Sequence, residues 1–202
     1  SQVAPSPRGA ARYVSTNCGA TGRYGPTGAD VNGSYLGTNL QGNVNMGVHQ
    51  GIQLWDVPTA GKYVIEVAGA GGSLGGLGAL VRGTFDFNGS ETLKILIGQM
   101  GLQRGGSGGT FVTLLDNSPI VIAGGAGGDG ANGRSQTSGG GNGGTNGNGG
   151  ATNWENGAGG GLLTDGSGGN EKGLSFLNGA IGGLRDTNFD GGFGGGGASD
   201  DK

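Results

Sequence analysis

The chain has 202 residues, 56 of them glycine, and carries 11 Lys plus Arg against 14 Asp plus Glu, a net charge of −3. That balance offers no basic face to nucleic acid or to an anionic membrane surface. A single cysteine excludes an internal disulfide framework and a Cys-rich zinc or iron–sulfur site, and no apolar run approaches the length of a membrane span.

Residues 1–17 read as an N-terminal extension without a visible signal peptide; Ser1 in place of Met implies a removed initiating segment or an internal start. Cys18 is read as a buried thiol or, alternatively, as an intermolecular disulfide partner. Gly19, Gly22, Gly25 and Gly28 then recur with the period of three that marks an extended left-handed helix. Such a helix makes no internal hydrogen bonds, so its amides must find water or neighbouring chain, and the absence of Cβ atoms permits close approach. The Asn-x-Ser sequon Asn32-Gly33-Ser34 follows at an expected turn and makes Asn32 a glycosylation candidate.

Six strands are expected between residues 51 and 123. Residues 51–57 alternate apolar and polar, meet the turn formers Pro58 to Gly61, and lead at hairpin distance into 62–68. After the glycine tract 69–78, residues 79–87 form a strand that Asn88-Gly89 reverses into 92–97, with Asn88 a second sequon. Residues 110–115 and 119–123 supply another antiparallel pair. No amphipathic crossover helix separates these segments, which favours an antiparallel sandwich. Its expected core is Ile52, Leu54, Tyr63, Ile65, Val67, Phe85, Leu93, Ile95, Ile97, Phe111, Val121 and Ile122.

From Gly124 the triplet pattern resumes at Gly127, Gly130 and Gly133, then at Gly141 to Gly150 and at Gly191, Gly194 and Gly197. Collagen is a poor match, because the runs are short and Pro totals 5. The tracts read as legs of one bundle of polyproline-II-type helices, plugged by Trp154, Leu162, Leu163, Leu174, Phe176, Leu177, Ile181, Leu184, Phe189 and Phe193.

Residues for chemistry are sparse. His49 has no partner that spacing alone would supply, and Asp86, Glu91, Asp129 and Glu155 form no carboxylate pair. No phosphate-binding loop is present, so no catalytic or cofactor-binding residue is assigned. Hard oxygens on Asp129, Asn132, Asp165, Asn170, Asp186, Asn188 and Asp190 suit calcium, with Asp186, Asn188 and Asp190 the most ligand-like trio. Asx side chains in such turns usually hydrogen-bond their own backbone, and no metal site is assigned.

Several motifs together carry a resemblance. They are residues 18–27 (CGATGRYGPT), 51–58 (GIQLWDVP) with 61–63, 67–72 (VAGAGG), 93–101 (LKILIGQMG), 109–112 and 119–128 (PIVIAGGAGG). Their order over most of 18–197 resembles the glycine-rich extracellular region of the anaplastic lymphoma kinase and leukocyte tyrosine kinase receptor family. The resemblance implies a sandwich similar to the tumour-necrosis-factor fold beside a bundle of glycine helices. That gives one composite domain at 18–197, strand-rich at about 51–123 and glycine-helical at about 124–197 with earlier tracts at 19–28 and 69–78, then a tail at 198–202. The family's additional cysteines are missing, and its cytokine-binding residues do not map onto this chain.

The expected function is a secreted, non-catalytic structural or adhesive module that assembles with itself or a companion chain and also meets surface glycans. A soluble receptor-like module binding a protein ligand, and a bacteriophage or microbial surface adhesin, are the alternatives. In the resembling family glycine-rich and strand sequence continues beyond the position of Gly197. A sandwich missing its last strand would leave an edge for another chain to fill.

Overall fold

The structure, a computed structural model, describes residues 11–73, 75–128, 144–152, 156–185 and 188–199. Among them the chain is mainly β: β1 (Val44–Met46), β2 (Gln53–Asp56), β3 (Gly61–Ala68), β4 (Leu80–Phe87), β5 (Thr92–Leu96), β6 (Thr110–Leu114) and β7 (Pro119–Ala123). One sheet has the order β1-β2-β5-β6-β7, and β3 and β4 form a second, two-stranded sheet. All pairings are antiparallel.

All six expected strands are present, but two expected hairpins are corrected. Strand β2 pairs with β5 and not with β3, and β4 pairs with β3 and not with β5. The Pro58 and Asn88-Gly89 turns therefore carry the chain from one sheet to the other. At the first, the Val57 amide donates to Glu91 O and extends the β2–β5 ladder. At the second, Gly89 sits at φ +84°, and the amides of Asn88, Gly89 and Ser90 all donate to the Glu91 carboxylate. Turn chemistry specifies a reversal; which strand lies beside which is set by burial.

Burial also changes the phase of β2. Leu54 was expected inside, yet Gln53 and Trp55 take the face that meets Ile95 and Leu93. Gln53 is tolerated there because its amide is satisfied: Tyr35 Oη donates to Oε1 at 2.6 Å, and Nε2 donates to Thr16 O at 2.8 Å. The β3–β4 pair covers this face with Tyr63, Ile65 and Val67 from β3 and Val81, Phe85 and Phe87 from β4. Rings from Tyr13, Trp55, Tyr63 and Phe87 succeed one another at 4.9 to 6.2 Å between centroids.

Two elements were not expected. Strand β1 is short and lies at a sheet edge. Helix α1 (Gly28–Ser34) replaces the end of the first glycine tract and the expected turn at Asn32. Thr27 and Asp30 close a capping box around its first turn, and Val31 and the capping Tyr35 are buried. Two glycines in seven residues hide a helix that capping and burial hold together.

The other face of the five-stranded sheet carries Ile52, Leu96, Phe111 and Ile122, which pack against Leu162, Phe176, Ala180 and Phe193 of the glycine-rich part. The ring of Phe193 lies between Gly25 and Gly51, where a β-carbon on either would overlap it. Of the expected plugs, Leu162, Phe176 and Phe193 are buried, whereas Leu163, Leu177 and Leu184 are exposed and Trp154 falls outside the described residues.

Around this plug, segments outside helices and strands are joined by backbone hydrogen bonds. Residues 190–199 are buried and run through the middle. Gln99 and Gly109 donate to Phe193 O and Gly194 O, Gly106 to Gly197 O, Gly160 to Gly195 O, Gly183 to Gly196 O and Gly157 to Ala198 O. In return Gly192 donates to Gly106 O, Phe193 to Gly22 O, and Gly194 and Gly195 both to Ala180 O. A β-carbon on Gly108 would overlap Phe193 O, and one on Gly157 or Gly183 would overlap Glu171 O.

Gly108→Ala is accordingly expected to cost at least about 3 kcal/mol, because backbone rather than a movable side chain obstructs it. Gly33→Ala, in helix α1 with open space at the β-carbon position, should stabilise by about 0.5–1 kcal/mol. Urea denaturation of both variants checks the contrast, and equal effects would contradict this packing.

Gln99 is 2% exposed, and neither end of its side-chain amide has a hydrogen-bond partner among the described residues. Gln99→Met, of similar volume without the amide, should leave the melting temperature unchanged or raise it. A fall of more than about 5 °C would show that the amide is satisfied in solution.

Candidate functional site

The expected site residues are dispersed. His49 is exposed in the loop before β2, beside Gly179, and makes no side-chain hydrogen bond to a described residue. Asp86 is held by Lys62 at 2.9 Å across β3–β4, and Glu91 binds the turn amides. Asp129, Asn132, Glu155 and Asp186 lie outside the described residues. Asp190 Oδ1 accepts from the Arg185 amide, and Asp165 Oδ1 accepts from the Ser175 amide and the Asn178 side chain. Among the described residues no group of three His, Cys, Asp or Glu is arranged to hold a metal ion.

Cys18 is buried, with a left-handed backbone at φ 52°. Its amide donates to Thr16 Oγ1, and its Sγ lies 3.5 Å from Thr16 O. The two sequon asparagines are exposed in different settings: Asn32 on helix α1, and Asn88 in the link between β4 and β5. At the second, the Ser90 amide and hydroxyl both donate to Asn88 Oδ1, an Asx turn.

Two surfaces stand out. The first is the β3–β4 pair, neither outer edge of which pairs with another strand among the described residues. Its solvent face carries Val64 and Leu80, 56% and 66% exposed, beside the cross-strand pairs Lys62–Asp86 and Glu66–Arg82. The second is an open groove lined by Arg23, Gly169, Asn170, Lys172, Leu174 and Leu184. Arg23 is anchored on its floor: Nε donates to Gly182 O at 3.0 Å, Nη1 donates to Tyr24 Oη at 3.3 Å, and the guanidinium lies 5.0 Å from the Tyr24 ring centre. Sequence reasoning missed this groove, because the Arg23 and Gly182 segments meet only through the fold.

Four carboxyls sit below their ordinary range. Thr27 lowers Asp30 through its hydroxyl and then its amide. Glu91 is lowered by the Asn88 amide first, and Asp116 by the Ser118 amide first. Burial by itself would raise Asp165, but the Ser175 amide, the Asn178 and Ser175 side chains and Lys172 together bring it down.

A lowered folded-state value means that the resulting stability is fully present above the unfolded pKa and disappears as pH falls through the folded one. The melting temperature should therefore be flat above about pH 5 and fall below about pH 4. Glu91→Gln should flatten part of that fall, and an acid limb of unchanged depth by calorimetry would contradict the assignment.

The described residues thus form a mainly β, glycine-rich module with an exposed two-stranded sheet and an open groove. No protein-family model matches the chain. In an alignment 125 positions long that covers 56% of this chain, it is 35% identical to the leukocyte tyrosine kinase receptor of Mus musculus, of which the match covers 14%. That similarity relates part of the chain to the receptor, and the chain corresponds to only a small part of it. No helix among the described residues is long and apolar enough to cross a membrane.

Proposed function

We propose that the chain is a non-catalytic extracellular module that works by protein association, either assembling with itself or a companion chain or serving as a receptor-like module for a protein ligand. The observation that carries this reading is the open β3–β4 pair. Two strands of eight residues each present outer edges with no pairing strand among the described residues, beside exposed Val64 and Leu80. Such an edge accepts a strand from another chain by backbone hydrogen bonding. The partial likeness to a receptor supports an extracellular setting and a protein partner.

Within the same proposal, residues 18–197 form one composite domain, with a sandwich resembling the tumour-necrosis-factor fold and glycine legs of the polyproline-II type. The Gly182 and Phe193 amides donate to Arg23 O and Gly22 O, which supports a shared unit. Exposed Asn32 and Asn88 are its candidate glycan carriers. Cys18 is its candidate intermolecular link, which would require the buried corner at Thr16 to open.

The test is sedimentation and native mass measurement over a concentration series, together with capture against a panel of extracellular protein domains. Concentration-dependent association or saturable capture is expected, weakened about tenfold or more by the paired changes Val64→Lys and Leu80→Lys at unchanged melting temperature. A chain that stays monomeric and captures no protein would overturn the reading.

A further inference from the structure

The groove at Arg23 holds a cation with no carboxylate partner among the described residues. Arg23 is half-buried, its guanidinium is fixed by Gly182 O and Tyr24, and no carboxylate among the described residues pairs with it. Nη2 donates to no described residue. The nearby acids are committed elsewhere: Glu171 Oε1 accepts from Arg185 at 2.9 Å, and Asp165 binds the Ser175 amide and the Asn178 side chain. Lys172, the second cation of the groove, forms an ion pair with Asp165 Oδ2 at 3.5 Å and stays partly exposed. In a chain of net charge −3, this groove is lined by two cations and by no described carboxylate.

The remaining walls are of mixed character. Leu174 and Leu184 give an apolar shelf, Asn170 gives an exposed amide, and Tyr24, 52% exposed, lies beneath the guanidinium. We propose that this groove binds a carboxylate-bearing sugar, a sialic acid or a hexuronate, at the end of a surface glycan. The planar guanidinium offers its free donors to the carboxylate, a pairing for which Arg is preorganised. Lys172 adds a second positive charge, and the Asn170 amide meets ring hydroxyls. The apolar face of the sugar rests on the leucines. An acidic peptide is the competing ligand for the same groups, and the titration separates the two. This site lies apart from the β3–β4 edges, so it stands or falls independently of the association proposed above.

The experiment is isothermal titration of the full chain with 3′-sialyllactose, a glucuronate-containing disaccharide, neutral lactose and a Glu-rich peptide. Saturable binding of at least one acidic sugar is expected, with none for lactose and weakening as salt rises. Arg23→Gln and Lys172→Gln should each weaken it about tenfold or more. Arg23→Lys, which keeps the charge and loses the fork, should fall between wild type and Arg23→Gln. Lys172→Gln leaves the Gly182 anchor untouched, so it reads the site even if Arg23→Gln unfolds, which melting curves report. The proposal is overturned if acidic sugars bind no better than lactose, if the peptide alone binds, or if Lys172→Gln binds as wild type does.

Discussion

The rest of the molecule depends on the backbone hydrogen bonds of residues 190–199. This segment is buried from end to end and shares amides and carbonyls with the stretches around Gly22, Gln99, Gly106, Gly157, Ala180 and Glu171. Buried peptide groups tolerate no vacancy, so every neighbouring stretch must be in place together. Glycine allows that proximity, since the position of a β-carbon is occupied by another backbone at Gly108, Gly157 and Gly183. Each residue ordered this way loses more conformational freedom than an ordinary one. A surrounding apolar anchor is therefore required.

Phe193 supplies part of that anchor. Its carbonyl and amide belong to the hydrogen-bonded array, while its ring packs between Gly25 and Gly51 and joins Phe111 and Phe176 on one face of the five-stranded sheet. The opposite face is closed by β3 and β4 through an aromatic succession from Tyr13 to Phe87. The sheet is thus apolar on both faces, and its strands lack the clean in-and-out alternation of a half-solvated sheet. The short links that move the chain between layers leave β3 and β4 as a pair whose flanks meet no further strand among the described residues, and Arg23 and Lys172 line a separate groove. Both surfaces follow from how the layers are covered.

Strand positions were legible because short apolar and β-branched runs bounded by turn residues are local features, and they agree with the structure from β2 to β7. The pairing of β2 with β5 was not, since the Pro58 and Asn88-Gly89 turns signal only a change of direction. Gln53 stands outside the expected core because the hydroxyl that satisfies it belongs to Tyr35, eighteen positions away. Helix α1 was hidden by its glycines and is held by a capping box and two buried side chains. The groove was invisible because Arg23 and Gly182 lie 159 positions apart and meet through backbone contacts without a motif.

By itself the sequence determined a mainly β chain rich in glycine tracts, without a Cys-rich metal centre, a nucleotide loop or a basic face. Those follow from composition and from periods of two and three, which act over a few residues. Tertiary structure alone decided which sheet each strand joins, which of the described apolar residues after Gly124 are buried, and where Arg23 sits without a carboxylate partner among the described residues. Those outcomes rest on burial and backbone pairing between distant segments, and neither leaves a trace in the spacing of neighbouring residues.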